Sequence, residues 1–244
     1  MPEGPSIVIL REQVAPFAGR LVRSVEGNSR LDLQRMHGRR VREFRSWGKH
    51  FLIGFSGFAL RVHFMLFGSY RINERRESPP RLGLRFAAGE INFYACSLKY
   101  VEGDLEAAYD WAADVMSERW NPRAARRKLS AQPRTLVADA LLDQSIFSGV
   151  GNIIKNEILF RIRVHPETRV GDLPSRKLAA LIREARDYSF DFYRWKKDFV
   201  LKKHWQVHAR RICPRCGRRL TYRAQLGTQM RRSFFCRYCQ VRYR

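Results

Sequence analysis

The chain has 244 residues, of which 45% are hydrophobic, so it can bury a sizeable core and divide into two domains. Its 47 Lys and Arg residues exceed its 23 Asp and Glu residues, which gives a formal net charge of +24. Such an excess of positive charge destabilises a compact chain by self-repulsion unless a polyanion neutralises it. Nucleic acid is therefore the favoured class of partner.

An anionic membrane is the alternative partner, but the composition argues against it. The basic residues are spread along the chain, and no apolar run approaches the ~20 residues of a spanning helix. Glu3 and Arg11 interrupt the only apolar stretch near the start, so no secretory signal pattern is present. We expect an intracellular, DNA-associated location, in the cytoplasm or nucleoid.

The first predicted element is a helix close to the N-terminus. Its apolar residues recur at spacings of three, four and three: Ile7, Leu10, Val14 and Phe17. Gly19 can end this helix. Met1 precedes a small residue, so we expect its removal, which leaves Pro2 as a free secondary amine beside the carboxylate of Glu3. The alternative is a disordered terminus.

Two β-hairpins follow in the sequence. FLIGF and FALRVHF alternate in hydrophobicity around a Ser56-Gly57 turn, and RLGLRF and INFYA do the same around AAGE. Several hairpins in ~80 residues predict an antiparallel β-sandwich flanked by the first helix. Cys96 stands alone in this strand pattern, and we expect it to be buried and inert.

The pattern becomes helical from about Tyr109. Three segments carry apolar residues at helical spacing: RTLVADALLDQ, GNIIKNEILF and PSRKLAALIREARDY, the last with Ser175 as a possible cap. Residues 103–121 are the expected linker between domains. Gly149 and Gly151 precede the helix that starts near Asn152, and such a turn can aim amide N–H groups at an anion. An ordinary turn between two helices is the alternative.

The last segment carries four of the five cysteines as two Cys-x2-Cys pairs: Cys213, Cys216, Cys236 and Cys239. Two such pairs can complete a closed tetrahedral zinc site, while four unrelated thiols are the alternative. A closed site has no position for water, so we expect one structural zinc ion. Between the pairs, QMRRSFF predicts a strand with Arg231 and Arg232 at a basic hairpin tip.

Four features in this order resemble the formamidopyrimidine-DNA glycosylase/endonuclease VIII family: MPEGP, SWGKHFL, GVGNIIKNEILF and the four-cysteine segment. The resemblance covers nearly the whole chain. It implies an α+β protein with three parts, which are a catalytic β-sandwich domain over residues 1–108, a helix–two-turn–helix DNA-binding domain over 109–205 and a zinc-finger β-hairpin over 206–244. It also implies a monomer that binds damaged DNA in the cleft between domains and acts in base-excision repair, as a DNA glycosylase that also cleaves abasic sites.

The resemblance implies roles for individual residues. The Pro2 nitrogen would be the nucleophile that forms a Schiff base with the sugar, and Glu3 the acid–base group. Lys49 would contact a phosphate and donate a proton during elimination. Arg231 would bind the phosphates beside the flipped nucleotide, and Asn152 would bind a further phosphate.

The stretch HFMLFGSYRI corresponds to the family's void-filling loop. The resemblance places Met65, Leu66 and Phe67 where side chains enter the hole left by a flipped base. Three consecutive large apolar residues at a hairpin end cannot all point inward, and an exposed apolar wedge is what unstacking requires. The alternative is that Met65 and Phe67 pack into the sandwich.

The chain departs from the family pattern in three places. The segment 110–114 reads DWAAD where members commonly have R-x-G-P-D, so a phosphate-binding arginine is missing. HARRIC lacks the usual Gly-Glu-Pro before the first cysteine. The stretch SFDFYRWKKDFVLKKHWQVHARRIC contains no glycine, whereas members that excise 8-oxoguanine carry a long glycine-rich loop there. We therefore expect a preference for oxidised pyrimidines and abasic sites.

Two other functions remain open from the sequence. A non-catalytic zinc-ribbon protein that binds damaged or structured DNA would share the charge and the cysteines. An RNA-binding or ribosome-associated ribbon protein would explain the charge but not the N-terminal residues. Neither needs Pro2, Glu3 and Lys49 together, so their joint presence favours the enzyme.

Overall fold

The computed structural model describes residues 2–244, so the expected removal of Met1 concerns a residue outside the described range. The chain divides into two compact units, one ending at Asp110 and the other running from Trp111 to Arg244. This boundary lies within residues 103–121, and the division into three domains stays a prediction. Within residues 2–244, no helix combines the length and the apolar character needed to cross a bilayer.

The first unit contains six strands and two helices: α1 (Gly4–Val14), β1 (Ser24–Glu26), β2 (Glu43–Trp47), β3 (His50–Gly54), β4 (Phe58–Ile72), β5 (Leu82–Phe86), β6 (Gly89–Glu102) and α2 (Leu105–Ala108). All strands pair antiparallel in one continuous sheet of order β1-β5-β6-β4-β3-β2. Helix α1 packs against β2 and β3. The predicted antiparallel fold with a flanking helix is confirmed.

The core of the first unit lies between α1 and the sheet, and it uses the apolar positions that the periodicity predicts. All four residues of the helical face are buried: Ile7, Leu10, Val14 and Phe17. Both hairpins form, and Phe55 donates its N–H to the carbonyl of Phe58 across the first turn. Cys96 is buried as predicted, and burial raises the pKa of its thiol to about 12, which keeps it protonated near neutral pH.

The second unit contains four helices and a two-stranded ribbon: α3 (Pro122–Ser130), α4 (Val137–Ala140), α5 (Asn152–Arg161), α6 (Ser175–Lys197), β7 (Thr221–Leu226) and β8 (Arg231–Phe235). Short 3-10 turns occur in both units: Ala15–Phe17, Leu33–Met36, Trp111–Ala113, Val170–Asp172 and Leu201–His204. Helices α3, α5 and α6 share one apolar cluster, which Leu226 and Phe235 of the ribbon join.

Three details of the helical prediction are wrong. Ser175 does not cap α6, because the helix already includes it and Pro174 occupies the cap position with no side-chain hydrogen bond. The segment RTLVADALLDQ forms only the short helix α4. Helix α6 also continues to Lys197, because buried Phe192 extends the apolar face beyond Tyr188. The first part of the stretch interpreted as a connection to the ribbon, residues 189–197, is therefore helix.

Candidate functional site

The N-terminal residues are held by the start of α1. Glu3 occupies the N-cap position with extended backbone angles, and its carbonyl accepts the N–H of Ser6 at 2.8 Å. The Glu3 side chain is 3% exposed, whereas Pro2 is half-buried. The terminus is therefore ordered, and a carboxylate lies in a protected position next to the residue that would become the N-terminal amine.

Lys49 lies in the tight turn between β2 and β3, where Gly48 has a φ of 52°. The side chains around this turn form a basic cluster, which we define as Lys49, His50, Arg61 and His63. Residues 50 and 63 are directly paired across the strands, and their rings meet edge to face at 5.3 Å. Burial, together with the charges of Arg61, His63 and Lys49, lowers the pKa of His50 to about 4. The cluster is suited to a phosphate, because Lys49 and Arg61 each supply a cationic side chain that can donate hydrogen bonds.

The three wedge residues lie in a bulge of β4. Phe64 pairs with residue 96 and Ser69 pairs with residue 94, so four residues, 65–68, lie opposite Ala95 alone. The exposed fractions are 53% for Met65, 59% for Leu66 and 83% for Phe67. The alternative that Met65 and Phe67 pack into the core is therefore wrong.

Helix α5 begins immediately after the glycine turn, as predicted. Gly149 has a φ of 99°, and its N–H donates to the side-chain oxygen of Gln144 at 3.1 Å. Asn152 is the first residue of the helix and is half-buried. Its Oδ1 atom is buried and accepts no hydrogen bond from the residues that the structure describes. The first turn of the helix and this amide lie at the positive end of the helix dipole.

Arg231 is exposed at the start of β8, and its hairpin is fastened to the helices near its tip. Asp139 of α4 accepts the N–H groups of Thr228 at 2.9 Å and Gln229 at 3.1 Å. Lys155 of α5 donates its Nζ to Ser233 Oγ at 2.8 Å and to the carbonyl of residue 232 at 3.1 Å. These buried side chains hold the backbone on both sides of Arg231.

The four cysteines meet at the base of the same hairpin. Their Sγ atoms all lie within 4.8 Å of one another, with 3.8 Å between Cys213 and Cys239 and 3.6 Å between Cys216 and Cys236. Four thiolates at about 2.3 Å from a tetrahedral zinc ion are separated by about 3.8 Å. The cluster fits a zinc ion, and the cysteines can hold a metal as predicted.

Sequence reasoning did not find Arg61, His63, Asp139 or Lys155. The first two had a weak signal, because alternate positions of a strand point to the same face. For Lys155 the signal was a charged residue inside an otherwise apolar helical pattern. Nothing in the local sequence of Asp139 indicated its contact with residues 228 and 229.

The comparisons with known proteins agree with this geometry. Residues 1–97 match the model of the formamidopyrimidine-DNA glycosylase N-terminal domain, and residues 111–188 match that of the formamidopyrimidine-DNA glycosylase H2TH domain. A solved Lactococcus lactis formamidopyrimidine-DNA glycosylase, bound to DNA with an abasic site, superposes with a TM-score of 0.86 at 20% identity, over 98% of this chain and 100% of that one. Fold and site together define a protein of the formamidopyrimidine-DNA glycosylase/endonuclease VIII family, and this chain belongs to it.

Within that family the chain falls in the endonuclease VIII-like branch, as predicted. It is 33% identical to mouse endonuclease 8-like 3 over 79% of this chain and 33% of the relative. It is 30% identical to the Xenopus laevis protein of the same name over 98% of this chain and 40% of the relative. It is also 28% identical to the Mycolicibacterium smegmatis DNA-(apurinic or apyrimidinic site) lyase Nei2, over 84% of each. The chain thus spans two-fifths or less of these two vertebrate relatives.

Proposed function

We propose that this protein is a base-excision repair DNA glycosylase with abasic-site lyase activity. It removes oxidised bases through a Schiff base on Pro2 and then cleaves the strand by β- and δ-elimination. It acts as a monomer on damaged DNA inside the cell. Family membership supports the reaction class, and the lyase name of the Mycolicibacterium smegmatis relative agrees with it.

The observation that carries the proposal is the ordered N-terminus. Glu3 is buried at the N-cap of α1 while Pro2 stays half-exposed. A protein that only bound DNA would have no need to bury a carboxylate beside its second residue, since removing a charged group from water is costly. An acid–base catalyst, by contrast, benefits from exclusion of water.

The chemistry follows from a secondary amine. An α-amine has an ordinary pKa of about 7.7–8.0, so a useful fraction is neutral at pH 7, whereas lysine near 10.4 is almost wholly protonated. The Pro2 nitrogen attacks C1′ of the deoxyribose, and the damaged base leaves with its electron pair. Glu3 protonates the ring oxygen and helps the sugar open.

The intermediate explains why a proline suits the second step. A secondary amine gives an iminium that has no N–H to lose, so it remains cationic and withdraws electrons. The C2′ proton becomes acidic, its loss expels the 3′-phosphate, and a second elimination expels the 5′-phosphate. Lys49 supplies a proton during elimination.

The remaining residues hold the DNA. Lys49, Asn152 and Arg231 bind phosphates from a turn, a helix N-terminus and a hairpin respectively. The exposed bulge of residues 65–67 enters the space left by the flipped nucleotide, and its apolar side chains replace the lost stacking.

One zinc ion, held by Cys213, Cys216, Cys236 and Cys239, is proposed as a structural ion. It would fasten the two ends of the ribbon and couple folding of the last ~35 residues to metal binding. Metal analysis of the purified chain should give about one zinc per molecule. Substantially less metal in folded protein would contradict this assignment.

Borohydride trapping tests the nucleophile. Reduction of the iminium should join the protein irreversibly to an oligonucleotide with an abasic site, provided that Met1 has been removed. A variant that retains Met1 has an amide in place of the amine, so it should form no crosslink. An undiminished crosslink in that variant would refute the role of Pro2.

Glu3→Gln tests the acid–base role, and Glu12→Gln is its matched control. Glu12 lies on the same helix but is exposed. We expect Glu3→Gln to slow base excision by about 10²- to 10⁴-fold, the usual contribution of general acid–base catalysis, and Glu12→Gln to have little effect. Equal rates in the two variants would remove Glu3 from the mechanism.

The substrate preference is proposed to be oxidised pyrimidines and abasic sites, including lesions in single strands. The glycine-free stretch over residues 189–213 supports this, because it carries the end of α6 and a 3-10 turn in place of a glycine-rich loop. Single-turnover excision from matched duplexes should be faster for thymine glycol or dihydrouracil than for 8-oxoguanine. The opposite order would overturn the preference.

A further inference from the structure

Phe199 is the most exposed of the large apolar side chains that the structure describes, with 96% of its surface accessible. It directly follows the C-cap residue of α6. Its backbone is left-handed, with a φ of 58°. Glycine is the usual residue at such a position, because a Cβ atom makes this conformation unfavourable.

The conformation is imposed by the end of the helix. The N–H of Phe199 donates to the carbonyl of Lys196 at 3.2 Å, and the N–H of Val200 donates to that of Trp195 at 2.9 Å. This pair of bonds is a helix-ending motif that fixes the direction of the next residue's side chain. A large aromatic residue is therefore held rigidly outward at a site where glycine would stabilise the fold better. A strained residue that contributes nothing to the core points to binding.

The surroundings of Phe199 are basic. Five cationic residues lie within five positions along the chain, against the single acidic residue Asp198: Arg194, Lys196, Lys197, Lys202 and Lys203. Lys196, Lys202 and Lys203 are exposed. The ring of Trp195 stacks flat on that of His204 at 4.1 Å, which makes the base of this projection rigid. We name residues 194–204 the α6 knob.

We propose that the α6 knob binds single-stranded DNA, with an unpaired base stacked on Phe199 and its flanking phosphates against Lys196, Lys202 and Lys203. An exposed aromatic face combined with cationic side chains is the arrangement that binds single strands without sequence preference. A base inside a duplex offers no free face. A single exposed ring also suits a nucleobase better than a lipid surface, because binding to lipid grows with the apolar area that is buried. The DNA partner of the α6 knob rests on the proposed function, but binding there does not depend on the proposed reaction.

The test compares two labelled strands of equal length by fluorescence anisotropy. One is oligothymidylate, and the other carries tetrahydrofuran residues in place of every nucleoside, so it has phosphates but no bases. Stacking contributes about 1–3 kcal/mol per base, so Phe199→Gly should bind oligothymidylate about 5- to 150-fold more weakly. Its affinity for the abasic strand should not change, and Phe199→Trp should bind both strands like the wild type.

Controls separate binding from folding. Phe199→Gly should melt at the same temperature as the wild type or higher, because glycine relieves the backbone strain. Val241→Ala, which shortens another exposed apolar side chain of this unit, should leave both affinities unchanged. Lys202→Ala with Lys203→Ala should weaken binding to both strands.

Three results would overturn the inference. They are an unchanged affinity of Phe199→Gly for oligothymidylate, an equal loss on both strands, or lost binding to anionic phospholipid vesicles with single-strand binding intact. Borohydride trapping tests the proposed reaction independently of this site. A wild-type chain that binds oligothymidylate through Phe199 but forms no crosslink would refute the proposed reaction and leave this site standing.

Discussion

At the scale of single residues, Gly68 shapes the wedge. A Cβ atom at this position would lie 2.8 Å from the carbonyl oxygen of Ala95 and 2.9 Å from the backbone nitrogen of Met65. Both neighbours are backbone atoms, which cannot move aside like the end of a flexible side chain. Only glycine lets the chain close the bulge and return to the ladder at Ser69.

Gly68→Ala should therefore displace the wedge. We expect slower excision from duplex DNA, by about tenfold or more, and little change on single-stranded substrate, where no base stack has to be filled. Phe67→Ala should show the same substrate dependence with unchanged stability, because its side chain is exposed. Equal slowing of Gly68→Ala on both substrates would indicate general damage to the fold instead.

His50 is one of two histidines, with His208, whose ionisation couples clearly to folding. Its pKa is lowered to about 4 in the folded chain by burial and by the charges of Arg61, His63 and Lys49. The rings of Trp47 and Tyr109 also pack on it. In the unfolded chain a histidine titrates near 6.5. Between these values the unfolded state binds the extra proton, so stability falls as the pH drops.

The expected loss between pH 6.5 and pH 4 is about 2 kcal/mol from this side chain, after allowance for its partial exposure. Urea unfolding at pH 7 and pH 5 should show a smaller pH dependence for His50→Phe than for the wild type. His37→Gln, which removes an exposed histidine, serves as the control. An unaltered pH dependence in His50→Phe would assign the effect to other groups.

At the scale of elements, the β7–β8 hairpin has two separate supports. The cysteine cluster holds its base, while Asp139, Lys155 and Asn156 hold the strand and turn that present Arg231. Gly227, with a φ of 70°, allows Asp139 to approach, since a Cβ atom there would come within 2.3 Å of its Oδ1. The position of Arg231 therefore depends on α4 and α5 as well as on the cysteine cluster.

Asp139→Asn should loosen the hairpin tip without releasing zinc. Its amide oxygen can accept only one of the two N–H groups well, and a hydrogen bond to a charged group contributes about 1.5–3 kcal/mol. We expect DNA affinity to fall about threefold to tenfold, with δ-elimination affected more than β-elimination. Asp172→Asn, at an exposed turn of the same unit, is the control.

The zinc content of the Asp139→Asn variant distinguishes independent supports of the hairpin from cooperative ones. Unchanged metal with weaker DNA binding would show that the tip is positioned independently of the ion. Loss of metal in Asp139→Asn would mean that the two supports form one cooperative unit.

At the scale of the whole molecule, the net charge of +24 sets the dependence of binding on salt. Each neutralised phosphate contributes about −0.9 to the slope of log affinity against log salt. If about five phosphates are neutralised, by residues such as Lys49 and Arg231, the slope is about −4.5, or roughly a 30,000-fold loss per decade of salt.

A fluorescence titration between 50 and 200 mM salt, roughly half a decade, measures this slope. Lys49→Ala should reduce its magnitude by about one, because one contact is lost. A slope near zero would contradict the binding of phosphates by cationic side chains.

The sequence by itself determined the features that depend on neighbours along the chain. The apolar period of α1, the two hairpin turns, the glycines before α5 and the cysteine spacing each encode a local structure, and each formed as predicted. The order of the motifs also identified the family. These signals are reliable because turn geometry, helical period and metal-ligand spacing are set within a few residues.

Only the tertiary structure decided the features that depend on distant residues. The bulge at residues 65–68 exists because Ala95 of another strand opposes it, and Asp139 acquires its role because the tip of a hairpin about ninety residues later folds against it. The exposure of Phe199 likewise depends on where α6 ends. Packing of its apolar face extends the helix to Lys197, so Phe199 lies just beyond the C-cap. A linear pattern does not record which side chains meet, because burial and long-range hydrogen bonds arise only when the elements pack together.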